Sequence, residues 1–281
     1  MTRTRTEHDS MGELEVPADA LYGAQTQRAI NNFPVSGQRL PENFIRALLL
    51  IKAAAASTNL SLGLISKEMA EAIQQAAREL LDSEDLMQHF PVDVFQTGSG
   101  TSSNMNANEV LARLASQNCS ETINPNDHVN LGQSSNDVIP TCIHVSAALA
   151  LQQKLLPALQ HLVATMLKKA DAVQQHVKTG RTHLMDAMPV RLSQELQGWA
   201  LQIENNMARL TALQPDIQTL AQGGTAVGTG VNAHPDFARE LCAELSSMTS
   251  LRFSRAENYF SYISSQDSAV ALSAQLKTTA V

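Results

Sequence analysis

Residues 138–177 read VIPTCIHVSAALALQQKLLPALQHLVATMLKKADAVQQHV, and this stretch decides the fold. Apolar residues recur every three or four positions over about eleven helical turns, the period of one α-helical face. Pro157 interrupts the pattern and predicts a bend. The apolar row consists of Ile143, Ala147, Leu151, Leu155, Leu159, Leu162, Met166, Ala170, Val173 and Val177.

Further helices are predicted on both sides of this stretch. A helical pattern starts at Glu42, and a strict four-residue row follows with Ser66 placed as its cap. That row consists of Ile65, Met69, Ile73, Ala77 and Leu81. A second long helix is predicted over 189–222, with a kink at Pro215 and a stop at the glycines that follow.

These patterns predict a mainly α protein with an N-terminal, mostly helical domain over 1–136. Residues 137–281 then form the first part of an elongated long-helix bundle. Several helix faces are apolar, which favours an oligomer over a monomeric bundle completed by helices outside this chain. Residues 268–281 have a helical pattern without a stop signal, so we expect a fragment of a longer protein or a natural truncation.

The composition excludes some function classes. Of the 281 residues, 43% are hydrophobic and 17% charged, and the net charge is −7. No basic stripe is present, so nucleic acid is not an expected partner. The cysteines Cys119, Cys142 and Cys242 have neither disulfide-framework nor zinc-site spacing, which fits a reducing cytoplasm. No stretch is expected to be long enough to span a membrane.

Four segments rich in Gly, Ser, Thr and Asn are the candidate binding sites, because loops on rigid scaffolds carry function. They cover residues 96–106, 124–137, 179–189 and 223–235. The first two precede helical runs, where hydroxyl and amide groups gather at helix N-termini and bind carboxylate or phosphate. The alternative for the first segment is a solvated loop with a good helix cap.

The other two segments lie next to the second long helix. His183 stands in the third segment, where an imidazole transfers protons near neutral pH or is an ordinary surface residue. The fourth segment is glycine-rich. A dinucleotide fingerprint needs a preceding strand within a βαβ unit, and the helical context predicted here excludes that interpretation.

The chain resembles the class II fumarases of the fumarase and aspartase superfamily from Asp9 onward. The resemblance rests on four motifs, with the letters of this sequence given in parentheses: 9–13 together with 16–17 (DSMGE and VP), 21–28 (LYGAQTQR), 180–183 (GRTH) and 224–230 (GTAVGTG). Aspartases usually have Gln at the position of His183, which favours fumarase.

The resemblance implies a fold of long helical rods and a homotetramer with shared active sites. It implies no metal and no organic cofactor, and His183 as the catalytic acid. The groups implied to bind the two substrate carboxylates and the leaving hydroxyl are Ser99, Thr101, Ser134, Ser135, Asn136 and Thr182. A second anion site is implied at Asn124, Asn126 and Asp127, although Asn124 stands where the family commonly has His.

The implied activity is reversible anti addition of water to fumarate, giving L-malate. Aspartate ammonia-lyase and a catalytically silent helical scaffold are the alternatives. The family's loop of the form Gly-Ser-Ser-x-Met-Pro-x-Lys-x-Asn, which supplies the serine base, is not present within residues 1–281. The 281-residue chain alone is therefore expected to be inactive.

Overall fold

The computed structural model describes residues 3–9 and 11–281, so Ser10 of the first motif lies outside the described residues. Most of the chain is helical, which confirms the predicted mainly α fold. Two compact units are present: Met1–Ser146 with Gln218–Gln266 (unit 1), and Ala147–Ile217 with Asp267–Val281 (unit 2). The domain division at 136/137 stays a prediction.

The secondary-structure elements have the following bounds. The helices, in chain order, are α1 (Ala24–Asn32), α2 (Glu42–Ser61), α3 (Lys67–Asp82), α4 (Thr101–Ala115), α5 (Ser135–Ala150), α6 (Leu156–Ala172), α7 (Leu192–Ala212), α8 (Gln214–Ile217), α9 (Phe237–Thr249), α10 (Tyr259–Ser264) and α11 (Asp267–Ala280). The strands are β1 (Thr4–Asp9), β2 (Gly12–Pro17), β3 (Val177–Thr182), β4 (Met185–Arg191), β5 (Thr219–Leu220) and β6 (Ser254–Arg255). β1–β2 and β3–β4 pair antiparallel, and β5–β6 pair parallel.

Helix α2 is the central core helix of unit 1, and it packs against α3 and α9. Its side chains Leu48, Leu49 and Ile51 are fully buried. By length and composition α2 is long and apolar enough to cross a membrane, so the prediction that no stretch reaches this length was wrong. However, 72% of its most apolar window is buried inside the protein, as is typical of a core helix.

Helix α3 confirms the capped four-residue row. The Ser66 hydroxyl accepts a hydrogen bond from the backbone N–H of Met69 at 3.2 Å, which satisfies a donor at the helix start. Ile73 and Ala77 are fully buried, whereas Leu81 is half-buried. The row therefore faces the core over most of its length.

The first long helical stretch is confirmed over most of its predicted length. Helical residues run from Ser135 to Ala172, through α5, a π-helical turn at Leu151–Leu155, and α6. The π turn immediately precedes the proline-containing start of α6, and the bend predicted at Pro157 stays a prediction. The stretch ends before Val177, because Val177 begins β3.

The prediction of a second long helix over 189–222 was wrong at both ends. Pro189 lies in β4 opposite Thr179, in a two-stranded hairpin whose strands both have an open edge that tolerates a residue without an N–H. The helix α7 begins only at Leu192 and ends at Ala212. Pro215 lies in the separate one-turn helix α8. In unit 2, α7 packs against α6 and α11, and α11 confirms the helix predicted at 268–281.

The context of the fourth polar segment is not purely helical. The two-residue strand β5 precedes it, α9 follows it, and β6 then pairs parallel with β5. The argument that no strand stands before this segment was therefore wrong in detail. A pair of two-residue strands is nevertheless much shorter than the sheet of a dinucleotide-binding fold.

Glu109 of α4 caps helix α1 from a distance of more than eighty positions in the sequence. Its carboxylate accepts hydrogen bonds from the backbone N–H groups of Gly23, Gln25 and Thr26 at 2.9, 2.9 and 3.1 Å. The Thr26 hydroxyl adds a fourth hydrogen bond at 2.6 Å. The negative charge also complements the positive end of the helix dipole.

We expect Glu109→Gln to lower the free energy of unfolding by about 2 to 3 kcal/mol, because the amide NH₂ group opposes N–H donors in a buried place. Urea denaturation measures the change. The control is Glu79→Gln, since Glu79 is exposed on α3 and accepts a hydrogen bond only from Gln75 among the described residues. Equal stabilities of the two variants would contradict the capping role.

Candidate active site

The first polar segment turns into helix α4 at a glycine that the geometry requires. Gly100 precedes the helix with φ of 67°, in the left-handed region. A Cβ added there would lie 2.8 Å from Cγ1 of Ile139 on α5, so the turn packs closely on that helix. The exposed hydroxyls of Ser99 and Thr101 are 2.8 Å apart and flank this turn.

The second polar segment forms the entrance of helix α5. The Asp137 carboxylate accepts a hydrogen bond from the backbone N–H of Ser134 at 2.9 Å, and the Ser134 hydroxyl accepts one from the N–H of Asn136 at 3.3 Å. The Ser135 hydroxyl accepts a hydrogen bond from Nδ2 of Asn104, on the first turns of α4, at 3.0 Å. The N-termini of α4 and α5 are thus tied together.

The fourth polar segment joins the same place. Nδ2 of Asn136 donates to the backbone carbonyl of Ala226 at 2.6 Å. The second oxygen of the Asp137 carboxylate accepts hydrogen bonds from the backbone N–H groups of Gly223 and Thr225 at 2.9 and 2.8 Å. Three of the four polar segments therefore meet in unit 1, with Ser134, Ser135 and Asn136 half-buried.

A buried lysine lies beneath this cluster. The side chain of Lys52 on α2 is 0% exposed, and its Nζ donates to Oδ1 of Asn130 at 2.9 Å and to Oε1 of Gln133 at 3.0 Å. Burial lowers the pKa of Lys52 to about 7, while the Asp137 carboxylate acts in the opposite direction. Lys52 is not among the site residues predicted from the sequence, where its signal is a lone lysine in an Ala- and Leu-rich helix.

Asp137 is the matching buried carboxyl group. Burial raises the pKa of Asp137 to about 6, although the backbone N–H donors of Ser134, Thr225 and Gly223 and the charge of Lys52 act to lower it. In the sequence, Asp137 stands out only as part of a polar segment. The structure places its carboxylate at the junction of two polar segments.

Thr182 and His183 lie in unit 2, on the hairpin of β3 and β4. The two-residue turn is His183-Leu184, with φ of 49° and 61°, and positive φ at both central positions is what a type I′ turn requires. Neither residue is glycine, and such strained positions are concentrated at functional sites. The His183 side chain is exposed, as predicted for a polar turn.

The residues predicted for a second anion site form a separate π-helical turn in unit 1. Oδ1 of Asn124 accepts hydrogen bonds from the backbone N–H groups of Asn126 and Asp127 at 2.8 and 3.0 Å. Asn124 and Asn126 also line a cleft of about 610 Å³ together with Arg113. Because Asn124 already occupies the two N–H donors, an anion would have to use other donors of the cleft.

This helical protein gathers hydroxyl and amide side chains at two adjoining helix N-termini. Such an arrangement is suited to binding a small anion. A family model described as "Lyase" matches residues 12–281, and the chain belongs to this lyase family. The resemblance inferred from the motifs is thereby confirmed.

Named relatives give a finer likeness. The chain is 63% identical, over all of its 281 residues, to Fumarate hydratase class II 2 of Pseudomonas aeruginosa, of which it covers 61%. It is 54% identical over 283 aligned residues to Fumarate hydratase class II of Xylella fastidiosa strain Temecula1, covering 99% of this chain and 59% of the relative. The chain thus spans about three fifths of the length of these curated relatives.

A solved structure gives the same likeness. The crystal structure of recombinant class II fumarase from Schistosoma mansoni matches 99% of this chain and 63% of that chain, with a TM-score of 0.95 and 40% sequence identity. The helical architecture described above is therefore the architecture of that part of the Schistosoma protein.

Proposed function

We propose that the full-length gene product is a fumarate hydratase, which adds water to fumarate in a reversible anti addition and releases L-malate. The observation that carries this proposal is the 63% identity, along the whole chain, to a class II fumarate hydratase. The meeting of three polar segments at the N-termini of α4 and α5 supports it. Because the protein carries a net negative charge, a dicarboxylate has to be bound by hydrogen-bond donors within the site itself, and hydroxyl and amide groups supply them.

In this proposal the cluster binds the substrate carboxylates. In unit 1 the proposed donors are Ser99, Thr101, Ser134, Ser135 and Asn136. Thr182, on the hairpin of β3 and β4, is proposed as a further substrate ligand in the assembled oligomer. Removal of the C3 proton of malate creates a dianionic aci-carboxylate, and preorganised donors stabilise the charge where it develops. The proposed base that accepts the C3 proton is the serine of the family's Gly-Ser-Ser-x-Met-Pro-x-Lys-x-Asn loop, which is not found within residues 1–281. No metal and no organic cofactor enters the proposal.

His183 is proposed as the general acid. In the dehydration direction it donates a proton, directly or through water, to the hydroxyl that leaves C2, so that the C–O bond breaks and water departs. In the hydration direction the neutral imidazole takes that proton back from the attacking water. The second anion site at Asn124, Asn126 and Asp127 is proposed to hold a second carboxylate in the cleft described above.

We further propose a homotetramer with shared active sites, acting in the cytoplasm in the tricarboxylic acid cycle. The surface of unit 2 supports association, because large apolar side chains there are exposed in the single chain. The exposed fractions are 95% for Leu184, 70% for Met185, 76% for Met188, 52% for Trp199 and 56% for Leu201. Light scattering of the purified gene product measures its mass.

The activity test is an assay of the full-length gene product with fumarate, L-malate and L-aspartate, with and without a chelator. We expect fumarate and L-malate to be interconverted, and we expect the chelator to leave the rate of each direction unchanged. Ammonia release from L-aspartate without turnover of L-malate would instead assign the aspartate ammonia-lyase activity. Loss of activity in chelator, restored by a divalent ion, would contradict the metal-free reaction.

A further inference from the structure

The polar cluster rests on a chain of hydrogen bonds that starts at a buried amino group. Lys52 donates to Asn130 and Gln133, which lie 78 and 81 positions further along the chain. Oδ1 of Asn130 also accepts a hydrogen bond from Nδ2 of Asn104 at 3.2 Å. The same Nδ2 donates to the hydroxyl of Ser135, a proposed substrate-binding group.

We propose that Lys52 is a positioning residue for the substrate cluster, acting through Asn130 and Asn104 on Ser135. The inference rests on the proposed function for its catalytic readout, since Ser135 is there a ligand of the substrate carboxylates. Lys52 itself does not touch the substrate in this proposal. It holds the amides that orient the serine.

The amide of Asn130 has a defined orientation because of Lys52. An amino group with hydrogens to donate requires the oxygen of Asn130 at this position, so the Asn130 Nδ2 turns to the backbone carbonyl of Gln133 at 3.3 Å. Gln133 is fixed in the same way: its Oε1 accepts from Lys52 while its Nε2 donates to the carbonyl of Val129 at 3.0 Å. The loop before α5 is thus tied to the core helix α2.

The last hydrogen bond of the chain has a chemical consequence for Ser135. Its oxygen accepts from Asn104, so the serine's own hydrogen is directed to another acceptor. An anionic carboxylate is a strong acceptor for such a hydroxyl. Asn104 is only 1% exposed, and its Oδ1 has no hydrogen-bond partner in the described part of the chain, so Nδ2 makes its side-chain hydrogen bonds.

A lysine is a costly residue for a purely structural role at this place. Burying an amino group without water costs free energy unless its hydrogen bonds are made, and apolar residues of similar volume pack such cores at least as well. The titratable groups that interact with Lys52 are Asp137 and Cys142, both on α5. Burial raises the pKa of Cys142 well above its ordinary value, so Asp137 is the charged partner.

The first test is Lys52→Met in the full-length gene product, with kcat and KM measured for fumarate. Methionine has nearly the same length and fits a helix, so α2 is kept while the donors are removed. We expect KM to rise about tenfold or more, because Ser135 is no longer held toward the substrate. The control is Ile51→Ala on the same helix, which removes buried volume and leaves the hydrogen-bond chain intact.

We expect Ile51→Ala to lower the thermal midpoint while KM stays at the wild-type value. An unchanged KM in Lys52→Met would overturn the proposal. Equal rises of KM in Lys52→Met and Ile51→Ala would overturn it too, because general loosening of α2 would then explain both.

A double-mutant cycle tests whether the effect passes through Asn104. If it does, Lys52→Met combined with Asn104→Ala raises KM no more than Asn104→Ala alone. Multiplied effects on KM would overturn the relay. Should Lys52→Met fail to fold, the same cycle is run with Asn130→Ala, which removes the acceptor that Lys52 and Asn104 share and leaves α2 unchanged.

A structural readout separates this inference from the proposed function. A wild-type protein without turnover of fumarate or L-malate would end the assignment as a fumarate hydratase, and the relay would then be judged from crystal structures of wild type and Lys52→Met. We expect the side chains of Asn130, Asn104 and Ser135 to change rotamer or orientation in the variant. Unchanged positions of all three would overturn the positioning role whatever the reaction is.

Discussion

Replacing His183 with Asn in the full-length gene product is expected to lower kcat for fumarate hydration by about a hundredfold or more, the usual scale for a lost acid–base group. The expected loss follows from the proposed role, because Asn cannot exchange a proton with the leaving hydroxyl. Folding is expected to be little affected, since the His183 side chain is exposed and Asn is among the residues that tolerate positive φ. Steady-state kinetics and circular dichroism measure the two quantities.

The matched control for this prediction is His176→Asn. His176 is also exposed and stands one residue before β3, so the two variants differ only in which histidine is lost near the hairpin. We expect the His176 variant to keep wild-type turnover. Near-normal turnover and pH dependence in His183→Asn would show that His183 is an ordinary turn residue.

Local patterns were sufficient to predict several elements. Helix α3 was predicted with its cap because Ser66 and the four-residue row lie within a few turns of one another. The helical stretch through α5 and α6 was predicted for the same reason, since one apolar face recurs along it. The hydroxyl and amide groups proposed as ligands in unit 1 were also predicted from local sequence, as groups at helix N-termini.

The hairpin of β3 and β4 could not be predicted in the same way. Its turn residues His183 and Leu184 are not the Asn-Gly or Asp-Gly pair that marks a type I′ turn. Pro189 at the end of the polar segment was read as the first turn of a helix, the position where proline is most common. Pro189 lies in a strand because it pairs with Thr179 across the hairpin, and the local sequence gives no signal for that pairing.

Buried polar groups depend on contacts between distant parts of the chain. Lys52 and Glu109 have their hydrogen-bond partners more than seventy positions away, and so does Asp137 for two of its three N–H donors. A helical pattern indicates the face on which such a residue lies, but it does not reveal the donors that meet it. The buried polar groups of the candidate site were therefore missed, while the hydroxyls nearer the surface were among the predicted ligands.

The second large effect is expected for Asp137→Asn, which should lower the free energy of unfolding by about 3 kcal/mol. The Asp137 carboxylate accepts hydrogen bonds from the backbone N–H groups of Ser134, Gly223 and Thr225. An amide presents its NH₂ group to at least one of these donors and leaves it unpaired. Asp216→Asn on the exposed surface of α8 is the matched control, for which no change above about 0.5 kcal/mol is expected.

The pH dependence of this loss of stability shows whether burial or hydrogen bonding has the larger effect on the pKa of Asp137. Burial raises the pKa of Asp137 from 3.8 to about 6 in the folded protein, so the folded state binds more protons than the unfolded state between these values. The contribution of Asp137 to the free energy of unfolding of the wild-type protein is therefore fully present below pH 4, and it is lost as the pH rises through 6. Asn cannot titrate, so urea denaturation is expected to show a larger difference between wild type and Asp137→Asn at pH 4 than at pH 6. A difference that grows with pH would mean that the three N–H donors outweigh burial and that the folded pKa lies below 3.8.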